Sequence, residues 1–124
     1  MDLIARLQPV QSAFWATLVN DFRARYIVFE FKNYSNPITQ DQIYGTERYL
    51  YATALRSVAI IIARNGYDEN ANRAVQGALR EQGKLILCLD LKEFTGMLRA
   101  FDAGDEFEEV LLAKRDDLLM SLAR

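Results

Sequence analysis

Apolar residues come along this chain in short blocks separated by turn formers, and the spacing inside each block predicts strands alternating with helices. Asp2-Leu3-Ile4-Ala5-Arg6-Leu7, closed by Gln8-Pro9, reads as a strand opened by an acidic residue. From Ser12 as N-cap, Phe14, Trp15, Leu18, Val19 and Phe22 recur on one helical face, which predicts a helix ending near Ala24. A second strand begins at Tyr26 and is closed by Asn33-Tyr34-Ser35-Asn36-Pro37. Thr39 with Gln42 has the form of a capping box, so a helix should follow and run to about Leu55. The branched run 57–63 and the apolar run 84–89 read as interior strands, joined through a helix over 70–82 that Gly83 closes. Asp90 with Glu93 starts a further helix that Gly104 ends, and Asp105 is expected to cap a last one over 106–122. The alternation predicts an α/β fold, a mixed sheet flanked by helices, with the strands near Val58 and Leu85 parallel.

One strand breaks the pattern. In Tyr26-Ile27-Val28-Phe29-Glu30-Phe31-Lys32, Ile27, Phe29 and Phe31 share one face while Tyr26, Val28, Glu30 and Lys32 share the other. Both faces begin apolar, so burial on both sides is expected, and a buried charge must find a partner, a cavity or a metal ion. Asp2, Glu30 and Lys32 are therefore the candidate chemistry. The two carboxylates offer hard oxygen ligands suited to Mg²⁺ or Mn²⁺. Lys32 can orient a water or stabilise charge on a phosphate.

Composition narrows the options. With 124 residues, 51% of them hydrophobic, the expectation is one domain spanning 1–124, its core in 1–90 and C-terminal helices in 91–124. The absence of histidine excludes Ser-His-Asp and Cys-His catalysis and every histidine-bound metal site. Cys88 is the sole cysteine, so neither an internal disulfide nor a thiolate cluster can form. The longest apolar run falls well short of the roughly 18 residues a membrane span needs, and no signal-peptide layout precedes it. A soluble, cytoplasmic protein with no membrane partner is expected. The net charge of −2 gives no global basic field, although Arg64 and other basic residues gather in the first half of the chain.

Asp2 at the start of a strand, Glu30-Phe31-Lys32 on the next, and the helix beginning near Gln40 resemble the PD-(D/E)xK nuclease superfamily. The string Ile27 through Tyr34, with Arg48-Tyr49-Leu50 and Ile60-Ile61-Ile62-Ala63-Arg64, looks like its restriction-endonuclease-type domains of the Mrr kind. The likeness extends over residues 2–89. It implies a restriction-endonuclease-like fold lacking the helix and strand that precede the motif aspartate in the family, with a partner domain upstream. It also implies a divalent-metal-dependent DNA endonuclease of restriction or defence type, using Mg²⁺ (or Mn²⁺), with DNA as partner. Carried over by position, Asp2 and Glu30 bind the ion and Lys32 assists water attack on a phosphodiester. Asp21 is the alternative for the motif aspartate.

Where the family often carries a glutamine or acidic residue on the following helix, the chain has Gly45. Gln42 is the nearest substitute, and Gln40 with Tyr44 is another. Asn33, Tyr34 and Arg64 stand beside the motif as candidate phosphate contacts, against the plainer reading of a turn and a surface charge. The apolar stripe Val110, Leu111, Leu118, Leu119 and Leu122 points to a homodimer. The alternative function is a nuclease-like fold kept as a non-catalytic binding or assembly module.

Overall fold

Val58-Ala59-Ile60-Ile61-Ile62-Ala63 has four β-branched residues and no polar atom beyond its backbone, a composition suited only to a strand covered on both faces. In the computed structural model, which describes residues 2–7 and 13–122, this is β3 (Val58–Ala63), and all six residues are buried. Around it lie β1 (Leu3–Arg6), β2 (Tyr26–Lys32) and β4 (Leu85–Asp90) in the sheet order β1-β2-β3-β4. β1 pairs antiparallel with β2, whereas β2–β3 and β3–β4 are parallel. The result is an α/β fold with a mixed four-stranded sheet flanked by helices.

The parallel pairs require crossovers, and α2 (Gln40–Glu47) and α3 (Glu69–Gln82) supply them. The predicted capping box of Thr39 with Gln42 is present, and Asp68 caps α3 through the Ala71 N–H at 2.8 Å. Gly83 closes α3 with φ +65, a left-handed conformation that favours glycine. α1 (Ala13–Phe22) joins β1 to β2, and the expected Ser12 cap lies outside the described residues. On one sheet face Phe29, Ile60, Ile62 and Leu89 line an apolar cavity of about 340 Å³ together with Trp15 of α1, Phe94 and Met97 of α4 (Leu91–Asp102) and Leu111 of α5 (Glu109–Ser121). On the opposite face Ile86 and Cys88 meet Val75 of α3. Among the described residues no helix is long and apolar enough to cross a membrane.

Three expectations need correction. The helix expected to reach Leu55 stops at Glu47, because Leu50 turns fully into the core and the chain then makes a single 3-10 turn at Ala52–Ala54. Asp105 caps no helix. Its N–H donates to the Ala100 carbonyl at 2.9 Å while the Gly104 N–H reaches Phe101, a Schellman closure of α4, and α5 starts only at Glu109. The stripe on α5 is largely consumed within the chain: Leu111 and Leu118 are buried, Val110 and Leu122 pack against the core, and only Leu119 is exposed.

Polar contacts hold α5 in place. Arg115 donates to Thr17 Oγ1 of α1, and Lys114 Nζ lies 2.9 Å from Glu93 Oε2 at the start of α4. Burial by itself would lower the pKa of Lys114, but the hydrogen bond to Glu93 and the charges of Tyr67 and Glu93 outweigh it, and the pKa is raised.

A raised lysine pKa contributes stability that is fully present below the unfolded value, about 10.4, and is lost as pH rises through the folded one. Lys114→Met should therefore lower unfolding free energy at pH 7 by about 1–2 kcal/mol, with the gap to wild type closing in strong alkali. Urea denaturation at several pH values measures this, and a pH-independent gap would mean that the loss is one of packing. Ile61→Ala, at a fully buried position of β3, should cost about 2–5 kcal/mol by the same measurement.

Candidate active site

Parallel strands bring their C-terminal ends, and the loops that leave them, to one edge of the sheet, and the candidate residues of β2 sit at that edge. Glu30 is directly beside Ile61 of β3, which is beside Cys88 of β4, so the three share a row on the face that α3 covers. The row is apolar apart from Glu30, whose side chain is only 4% exposed. Two residues on, Lys32 is on the same face with its side chain 23% exposed, and its Nζ lies 3.7 Å from Glu30 Oε2. The buried carboxylate thus has an ammonium beside it. This is the pairing that strand alternation requires of two charges on one face.

Asp2 reaches the same strand from the edge. It stands one position before the register pair Leu3↔Phe29, and its Oδ2 accepts the Phe31 N–H at 2.6 Å. That N–H is on the strand residue between Glu30 and Lys32, so Asp2 fixes the backbone from which both side chains project. Asp21, by contrast, is exposed on the last turn of α1, which feeds the opposite end of β2.

The accessory candidates divide. Gln42 Oε1 accepts the Thr39 N–H at 2.7 Å, so its side chain completes the cap of α2. Gln40 and Tyr44 line a separate polar cleft between α2 and α3. Gly45 has open space around it, with nothing within 4 Å of where a Cβ would stand. Asn33 and Arg64 line one cleft with Lys32, and Tyr34 is exposed on the adjoining loop. That loop is clasped to its neighbour: Asn65 Nδ2 donates to the Tyr34 and Ser35 carbonyls at 2.8 and 3.0 Å, and Ile38 bridges Tyr67. An asparagine before glycine at a strand exit is a turn signal in its own right, and here its side chain also reaches across to the neighbouring loop.

Several observations bear on a metal ion. Glu30 and Asp2 are all-oxygen donors, and a carboxylate has about four lone-pair positions, so the bond to Phe31 leaves Asp2 acceptor capacity. Among the described residues no group of three or more His, Cys, Asp or Glu comes together. A site with two carboxylates suits Mg²⁺, which keeps several waters and takes substrate phosphate oxygens, better than Ca²⁺ with its six to eight oxygens. Cys88 cannot contribute a thiolate: burial is the main cause that pushes its pKa up to about 12. No known family, no curated protein and no solved structure matches the chain.

A charged pair on an otherwise apolar strand should be held at a cost to stability. Replacing both members, Glu30→Leu with Lys32→Met, is expected to leave unfolding free energy unchanged or to raise it by about 1–4 kcal/mol. Lys32→Ala alone should lower it, since Glu30 is then left more poorly compensated. A double variant clearly less stable than wild type in urea would show that the pair is a structural support.

Proposed function

We propose that this chain is a divalent-metal-dependent nuclease domain of the restriction-endonuclease-like type, hydrolysing phosphodiester bonds in DNA. The observation that carries the reading is Glu30, a residue only 3% exposed with the Lys32 ammonium 3.7 Å away at the C-terminal edge of the parallel strands. An apolar residue would serve packing better at that position, and open α/β sheets bind their ligands outside the carboxyl ends of their strands. A bound Mg²⁺ or Mn²⁺ supplies Lewis-acid polarisation of a phosphoryl oxygen and a more acidic water.

The chain's own residues do the rest. Glu30 and Asp2 would hold the ion with their carboxylates, and the Phe31 N–H fixes the orientation of Asp2. Lys32 donates to the attacking water or to a non-bridging phosphate oxygen, where its charge offsets the negative charge that develops as the nucleophile adds. The buried wall behind Glu30, made by Ile61 and its neighbours, keeps bulk water from that side of the carboxylate.

Incubation with supercoiled plasmid and Mg²⁺ or Mn²⁺ tests the proposal. Wild type should nick or linearise the DNA, chelator should stop the reaction, and Glu30→Gln, Lys32→Ala and Asp2→Asn should each slow it by roughly 100-fold or more. Equal cutting by wild type and all three variants would trace the activity to a contaminant. No cutting by wild type with either ion would leave a nuclease-like fold that serves binding or assembly.

A further inference from the structure

Phe31 is the residue between Glu30 and Lys32, and its side chain is out of place for an interior strand. Its ring is 49% exposed, although Phe29 and Ile27 on the same face are covered. It meets Phe94 of α4 edge-on, with ring centroids 6.3 Å apart, a contact that favours this orientation of the exposed ring. The ring borders an open cleft of about 240 Å³ at the sheet edge, with Lys32, Asn33, Ile62, Arg64 and Leu91 completing its lining.

Apolar surface and charge are segregated in this cleft. Phe31, Ile62 and Leu91 form its walls, and Leu91 is itself 49% exposed. The charged residues along it are Lys32, whose side chain turns to Glu30 on the other face of the strand, and Arg64. Lys32 is shared with Glu30, whereas Arg64 makes no ion pair among the described residues. The cleft is smaller than the roughly 300–1,000 Å³ of pockets that enclose a whole drug-sized ligand, so it suits a single flat ring. An exposed aromatic face, an amide at its edge and a cation beside it are the parts needed to hold one unpaired nucleotide.

We infer that this cleft binds the base of one unpaired nucleotide of a DNA strand, stacked on Phe31, with Arg64 on the phosphate that flanks it. The inference rests on the nuclease reading for its substrate class and adds a preference for frayed or single-stranded DNA. Asn33 meets the edge of the base, and because every base has a stacking face, recognition is tolerant of sequence.

The test is binding of a fluorescein-labelled ten-nucleotide oligothymidylate, followed by anisotropy in chelator so that cleavage does not enter. Wild type should bind it more tightly than a blunt duplex of equal length. Base–aromatic stacking of about 1–3 kcal/mol corresponds to a loss of roughly 5- to 150-fold on Phe31→Ala, whereas Phe31→Tyr should keep most of the affinity. Arg64→Ala should weaken binding and reduce the salt dependence by about one counterion. Circular dichroism of each variant verifies folding, and the tyrosine variant tests stacking if alanine disturbs the strand. Equal affinity of wild type and folded Phe31→Ala, or a preference for the blunt duplex, overturns the inference. Plasmid cutting that depends on Lys32 would then still support the nuclease reading. Phe31-dependent binding without any cutting would overturn the nuclease reading and leave the cleft standing.

Discussion

Parallel strands cannot be joined by a tight turn, and that constraint shapes nearly everything between Tyr26 and Asp90. Pairing Ile27 with Val58 and Val58 with Leu85 obliges the chain to return each time over one face of the sheet, and α2 and α3 are those returns. The same geometry sends the exits of β2, β3 and β4 to one edge. Glu30, Lys32, Asn33 and Arg64 are close in space because of that register, though the last is half the sheet away in sequence. The clasp of Asn65 on the Tyr34 and Ser35 carbonyls then ties two of these exits together and holds that edge in one shape.

Much of this was legible beforehand, and the reasons differ by residue. Thr39, Asp90 and Gly83 each announce a helix boundary through a local hydrogen bond or a backbone preference, which needs no tertiary information. The end of α2 is another matter. No glycine or proline follows Glu47, and the helix stops because Leu50 is drawn into the core and Leu55 adopts φ +57, outcomes decided by packing. Asp105 could equally have opened α5 or closed α4, and it does the latter because Gly104 precedes it with φ +79.

The site follows the same division. Glu30 and Lys32 on one face were evident from alternation along the strand. That Asp2 would spend an oxygen on the Phe31 N–H was not, because it depends on the register of β1 with β2. Gln42 has two roles compatible with its position, and its side chain takes the capping one, turning back to the Thr39 N–H. The exposure of Phe31 was hidden for a related reason: apolar alternation predicts cover on both faces, and α4 meets the end of the strand with the edge of Phe94, which leaves half of Phe31 open. An element's identity is local, whereas the extent to which a neighbour shields it is not.

The charges on β2 also matter before the sheet exists. While the chain is being synthesised, β2 can pair with β1 on one edge, but its other edge must wait for β3, and β3 for β4, since each of these later partners lies beyond an intervening helix. During that interval Tyr26–Lys32 and Val58–Ala63 are extended, β-prone segments of the sort that associate between chains. Glu30 and Lys32 interrupt the first from within, and Arg56 and Arg64 bracket the second, whose own six positions are wholly apolar. Each of these charges acts as a gatekeeper against self-association in the nascent protein.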